Sequence, residues 1–188
     1  NNENSPLLPS PTLAQGYARE FEALFGGQQE GLGQPVACAL EGVEGVAYFS
    51  PRGGRLAREA LLKRLSEAQR EVLVAAFVLT DREVLEALLQ ARRRGAEVKV
   101  LLETRNLGTS REEALLEEGL EVRQDANPYT MHHKVMLLDG TYVVTGSYNF
   151  SVRAHEVNNE NLLVLKSPSL AERYRKEVLR LWEAGSPL

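Results

Sequence analysis

His132, Lys134, Ser147 and Asn149 stand close together in the sequence, in Met131-His132-His133-Lys134 and Gly146-Ser147-Tyr148-Asn149. Their side chains suit a phosphodiester. An imidazole can attack phosphorus as a nucleophile or deliver a proton to a leaving oxygen. A lysine ammonium neutralises non-bridging oxygens, and hydroxyl and amide groups fix the rest. The sequence offers no acidic cluster of the kind that holds Mg²⁺. The electrophile is therefore expected to be activated by Lys134 and hydrogen bonds, with no metal and no cofactor.

These residues need a strand to position them. The segment 131–138 reads as one, and 141–145 as its partner, joined by Asp139-Gly140, a strong two-residue hairpin signal. Side chains alternate along a strand, so His132 and Lys134 share a face and His133 points away. A two-residue turn would set Lys134 opposite Thr145 and His132 opposite Ser147. Asp139 then lies about 20 Å from His132, seven strand residues away. It is expected to serve the turn, and Gly146 to be structural as well. Glu160, in Asn158-Asn159-Glu160-Asn161, is the better candidate to orient an imidazole through its far ring nitrogen. Tyr129 is placed either to stack on a substrate base or to anchor a turn. Arg105 follows an apolar strand, where α/β sheets place ligand contacts. His133 is read as structural, His155 as a surface residue and Cys38 as an inert thiol.

The rest of the chain alternates strands and helices. Short apolar runs at 46–49, 72–78, 98–102, 120–123 and 162–165 read as strands. Helices are expected over 56–68, from Thr80 to Gly95, from Ser110 to Gly119 and from Ser167-Pro168 onward. Thr80 with Glu83, and Ser110 with Glu113, look like capping boxes. Pro168 suits a first helical position. Strands alternating with helices, closed by a hairpin, predict an α/β sandwich with a mixed, mostly parallel sheet flanked by helices.

The chain also repeats itself. Residues 1–25 align with residues 158–182 at a constant offset of 157, without a gap and with 12 of 25 positions identical. The match includes the tetrapeptide Asn-Asn-Glu-Asn, the Ser-Pro helix start, and Tyr17 with Tyr174. Residues 1–27 are therefore read as the tail of an earlier copy, 28–42 as a Gly/Gln-rich linker, and 43–188 as one complete copy. Pro6 and Pro9 interrupt the earlier copy where Leu162–Leu165 reads as a strand.

His132-x-Lys134-x4-Asp139, followed by Gly146-Ser147-x-Asn149, resembles the HKD motif of the phospholipase D superfamily. Tyr48-Phe49-Ser50-Pro51, Arg94-Gly95, Val98-Lys99-Val100-Leu101-Leu102 and Asn159-x-Asn161 extend the likeness over about residues 43–184, toward its phospholipase D-like nuclease branch. The resemblance implies a metal-independent phosphodiesterase working through a phosphohistidine. His132 would be nucleophile or acid, Lys134, Ser147 and Asn149 would hold phosphate, and Glu160 would orient a histidine. Such sites are built from two motifs, and this sequence carries one. The second is expected from another copy of the chain or from a first half that precedes it.

Composition sets the outer limits. With 188 residues, 43% hydrophobic and 26% charged, the chain has the balance of a soluble globular domain. No apolar run is long enough for a transmembrane segment, and a single cysteine excludes a Cys-based zinc cluster. The net charge of −4 requires any nucleic-acid site to be a local basic patch. Nucleic acid is the favoured substrate, a phospholipid the alternative, and a catalytically idle pairing half the third reading. The sequence assigns no compartment.

Overall fold

The structure, a computed structural model, describes residues 1–188. Nine strands form a single mixed sheet: β1 (Val36–Leu40), β2 (Val43–Ser50), β3 (Glu71–Ala76), β4 (Glu97–Leu102), β5 (Glu121–Gln124), β6 (Lys134–Leu138), β7 (Tyr142–Gly146), β8 (Glu160–Lys166) and β9 (Ser186–Pro187). Their spatial order is β1-β2-β8-β7-β6-β3-β4-β5-β9. Only β3–β4 and β4–β5 pair in parallel. The other six pairings are antiparallel, which corrects the expectation of a mostly parallel sheet. Parallel pairing needs a crossover helix. Here α3 (Arg82–Arg93) and α4 (Glu112–Glu117) supply two, while consecutive strands (β1–β2, β6–β7, β7–β8) and long-range pairings (β2–β8, β3–β6, β5–β9) build the rest.

Alternation along β3 assigns the two faces. Val72, Val74 and Ala76 join the larger core with α2 (Gly54–Glu67), α3, α4 and α5 (Val152–Glu156). Leu73 and Ala75 face the other way, toward Ala171, Val178 and Trp182 of α6 (Pro168–Ala184). Leu61, Leu65, Leu88 and Leu102 have no measurable exposure, and truncating any of them to Ala should cost about 2–5 kcal/mol. A third cluster, around Cys38, Ala47 and Phe49, seats Leu13 of α1 (Pro11–Phe25). Both α1 and α6 begin with a serine cap followed by proline. Ser10 Oγ accepts from Leu13 N–H, and Ser167 Oγ from Leu170 N–H.

Several local expectations change. β1 lies within the segment read as a linker, and its apolar Val36 and Cys38 are buried. Asp81, not Thr80, caps α3; its carboxylate accepts from Glu83 N–H at 2.9 Å and is gripped by Arg58. Ser110 starts no helix: its Oγ accepts from Leu79 N–H, and α4 follows Arg111 in a left-handed conformation. His155 is buried rather than on the surface, with Nδ1 3.8 Å from Asp81.

The hairpin is one residue longer than its turn signal implies. Leu138 pairs with Tyr142, so Thr141 joins the turn and the register moves by one. Asp139 is the reason. Its carboxylate accepts from the backbone N–H groups of Gln69, Arg70 and Glu71, and its own N–H donates to Glu71. Burial would raise its pKa, but these bonds and the Arg70 charge hold the carboxyl below the usual range. Asp139 therefore ties the hairpin to the α2–β3 connection. It sits at the end of β6 opposite to His132.

Candidate active site

The site lies at the edge of the sheet where β6 and β8 begin and β7 and β2 end. Ala76 pairs with Lys134, Gly146 with Leu162 and Ser50 with Glu160 along this edge. It is a cleft of about 370 Å³ lined by Glu3, Asn4, His132, Lys134, Gly146, Ser147, Asn149 and Glu160, with no apolar residue among them. The candidates His132, Lys134, Ser147, Asn149 and Glu160 are thus brought together, although His132 precedes the regular strand instead of lying on it.

His132 is held from two sides. Its ring meets Phe77 edge-on, with centroids 4.7 Å apart. Its Nδ1 lies 2.6 Å from Oε1 of Glu3, a contact that leaves Nε2 unengaged by that carboxylate. The His132 bond keeps the Glu3 carboxyl below the usual carboxylate range. Lys134 Nζ donates to the His132 carbonyl at 2.8 Å and sits 4.8 Å from the centre of the Phe77 ring. Burial pushes its pKa down to about 8, against the attraction of Glu160 and Glu3.

Gly146 lets the chain turn into the site. Its φ is 140°, and a Cβ there would come within 2.2 Å of the Asn161 carbonyl. That carbonyl accepts from the N–H groups of both Ser147 and Tyr148. Ser147 Oγ in turn accepts from Asn161 N–H at 3.0 Å, so its hydroxyl proton remains available to the cleft. Asn149 lines the cleft with its Oδ1 buried and unpaired. Ser151 caps α5 directly afterwards, accepting from Ala154 N–H.

The carboxylate on His132 is Glu3, not Glu160. Glu160 faces the same cleft, but its Oε1 accepts from Asn158 Nδ2 and touches no histidine. Sequence reasoning read residues 1–27 as the tail of an earlier copy and gave them no part in the site. The signal was present: Glu3 and Glu160 occupy the same place in the 157-residue repeat. The tail enters by backbone pairing, with Asn2 N–H donating to the Thr130 carbonyl and His132 N–H to the Asn2 carbonyl. Asn4 then accepts from Thr145 and Tyr174 hydroxyls and donates to His133 Nδ1, which burial keeps below its usual pKa.

The contacts of the two matching segments are reciprocal. Tyr174 donates to Asn4 Oδ1 at 2.7 Å, and Tyr17 donates to Asn161 Oδ1 at 3.0 Å. Tyr17 corresponds to Tyr174 and Asn4 to Asn161 at the same offset. Each segment's tyrosine thus holds the other segment's asparagine, an exchange that approximates two-fold symmetry. Burial pushes both phenols up to about 12, so they remain donors at neutral pH.

The remaining candidates lie outside the cleft or support it. Thr145 is buried and serves Asn4. Arg105 donates to Thr130 Oγ1 and the Pro128 carbonyl, bracing the loop before His132. Tyr129 is 71% exposed on that loop.

A family model described as "Cardiolipin synthase, PLD-like domain" matches residues 61–182. The mitochondrial cardiolipin hydrolase of Xenopus laevis is 36% identical over 129 residues, 68% of this chain and 61% of that protein. A phospholipase D of Rickettsia typhi is 33% identical over 128 residues, 67% of this chain and 62% of that protein. The chain therefore spans somewhat less than two thirds of these relatives. Among solved structures, Nuc, a phospholipase D family member from Salmonella typhimurium, superposes with a TM-score of 0.70 at 29% identity, covering 82% of this chain and 99% of that one.

Proposed function

This chain belongs to the phospholipase D superfamily, and from that premise we propose that it carries one half of a metal-independent phosphodiesterase site acting through a phosphohistidine. The observation that carries the reading is the wholly polar cleft with His132, Lys134, Ser147 and Asn149 around one space. Nε2 of one imidazole attacks phosphorus, and the bond from phosphorus to the leaving oxygen breaks. A second imidazole gives that oxygen its proton, then takes one from a water whose oxygen displaces the histidine. Lys134, Ser147 and Asn149 hold the non-bridging oxygens throughout.

One imidazole cannot stand on both sides of phosphorus in the same step. His133 and His155 are buried and serve other contacts. The reciprocal tyrosine–asparagine bonds support a second copy of the motif, whose imidazole would stand to Glu160 as His132 stands to Glu3. Glu160 is then a positioning residue for that second histidine.

The favoured substrate is a nucleic-acid phosphodiester, because a cleft without apolar lining offers acyl chains no seat. A phospholipid is the second reading, favoured by the names of the cardiolipin hydrolase and phospholipase D relatives. The test is a chelator-treated panel of bis-p-nitrophenyl phosphate, single- and double-stranded DNA, RNA, phosphatidylcholine and cardiolipin at rising salt. Turnover of nucleic acid in EDTA, with binding that falls steeply as salt rises, is expected. Loss in EDTA with rescue by Mg²⁺ or Zn²⁺ overturns the metal-free chemistry. Salt-insensitive binding to DNA beside strong turnover of lipid moves the assignment to the lipid reading.

A further inference from the structure

Phe77 is an apolar side chain that serves no apolar core. It follows β3 directly, is half-buried and belongs to none of the three hydrophobic clusters. Its backbone is tied at both ends: its N–H donates to the His133 carbonyl at 2.8 Å, and its carbonyl accepts from Asn106 Nδ2 at 2.7 Å. The His132 ring lies 4.7 Å from the Phe77 ring, centroid to centroid, with the planes at 70°. The Lys134 ammonium stands over the Phe77 ring, 4.8 Å from its centre. Phe77 thus touches two motif side chains without lining the space they enclose.

Lys134 needs such support. It is 5% exposed, and withdrawal from water disfavours an ammonium. On its own strand, Nζ donates to the His132 carbonyl. From β8 and the N-terminal segment, Glu160 and Glu3 attract it through space. Their hydrogen bonds go elsewhere, Glu3 to His132 and Glu160 to Asn158. From the β3 side the facing group is the Phe77 ring. An aromatic face attracts a cation within about 6 Å of its centre, and more strongly when the pair is withdrawn from water. An aliphatic side chain of similar bulk would bury Lys134 without returning that attraction.

We propose that Phe77 is a positioning residue of the phosphate site, its ring face keeping the buried Lys134 side chain in the ammonium form beside His132. The inference rests on the reading of the cleft as a phosphate site, and it gives a role to a residue outside the motif. The sign follows from the contact. A group that favours the charged form of a lysine raises its pKa, so loss of the ring lowers it. Phosphate then loses its cation at a lower pH than in the wild type. Phe77→Tyr keeps the aromatic face, and Phe77→Leu removes it.

The test is an NMR titration of isotope-labelled lysine side chains in wild type, Phe77→Leu and Phe77→Tyr, with the Lys134 signal identified by its loss in Lys134→Arg. Phe77→Met, whose flexible chain refills the same space, replaces Phe77→Leu if that variant does not fold. The Lys134 midpoint should fall by about 0.5–1 pH unit in Phe77→Leu and stay within about 0.3 unit of wild type in Phe77→Tyr. The midpoints of Lys63, Lys99, Lys166 and Lys176 should not move. Inorganic phosphate, followed by calorimetry, should bind Phe77→Leu about threefold more weakly than wild type at pH 8, and alike at pH 6. An unchanged Lys134 midpoint in the aliphatic variant, or an equal fall in Phe77→Tyr, overturns the inference and leaves Phe77 a packing residue. The titration needs neither phosphate nor turnover. A midpoint that falls while phosphate affinity stays the same upholds the role of the ring and removes Lys134 from phosphate binding. Phosphate binding and turnover that persist beside an unmoved midpoint do the reverse.

Discussion

Oε1 of Glu3 lies 2.6 Å from Nδ1 of His132, although 129 residues separate them in the chain. In the proposed mechanism a carboxylate there fixes the ring tautomer, leaves Nε2 free to attack phosphorus and steadies the positive imidazolium. Glu3→Gln keeps an acceptor but loses the charge. It should lower turnover about a hundredfold and shift the pH profile, with an unchanged circular dichroism spectrum and melting temperature. A rate within threefold of wild type would show that the contact has no part in the chemistry.

On the proposed reading, Lys134 holds phosphate and sets the pH range over which it binds. Its pKa is pushed down to about 8, chiefly by burial. The ammonium is present below that pH and is lost as pH rises through it. Binding of inorganic phosphate, followed by calorimetry, should therefore weaken above pH 8. Lys134→Arg should keep a charge to higher pH, and its affinity should stay flat across the same window. A wild-type affinity that does not change up to pH 10 would contradict this.

Asp139 belongs to the motif by sequence and to the scaffold by structure. Asp139→Asn removes the charge that accepts from three backbone N–H groups, at a cost of about 1–3 kcal/mol in denaturant unfolding. Its folded-state pKa is depressed, so its contribution is present above the unfolded carboxylate pKa and fades as pH falls through the folded one. The wild-type and variant stabilities should converge in acid. Turnover per folded molecule should stay within about threefold of wild type, since Asp139 is at the far end of β6 from His132.

The distinction between His132 and Asp139 was legible in the sequence, because strand geometry alone separates them. So were the Ser-Pro helix starts and the central strands, which follow from capping chemistry and apolar runs. The hairpin register was not legible. It depends on Asp139 reaching backbone groups at Gln69–Glu71, a contact distant in sequence. The cap at Asp81 was missed for a similar reason: Arg58 on another helix selects it over Thr80. The sheet proved mainly antiparallel because β2–β8, β3–β6 and β5–β9 pair strands distant in the chain, which strand spacing does not reveal. Phe77, against both His132 and Lys134, has no sequence signal beyond lying in an apolar run.

Gly146 tests how far the backbone, rather than any side chain, builds the cleft. Gly146→Ala places a Cβ 2.2 Å from the Asn161 carbonyl at a φ of 140°. The variant should lose about 2–4 kcal/mol of stability. Activity should also fall in the molecules that stay folded, because Asn161 and Ser147 must move apart. Normal melting and turnover in this variant would mean that the chain leaves β7 differently.

The central claim is a covalent intermediate on a motif histidine. The direct measurement is rapid mixing of the intact polypeptide with a labelled phosphodiester in EDTA, an alkaline quench and mapping of phosphorylated peptides. Label should appear on a histidine of an H-x-K motif and decay at the rate of turnover, and His132→Asn should slow turnover by about a thousandfold or more. Full turnover with no labelled histidine at any time, and with His132→Asn as active as wild type, would contradict the account.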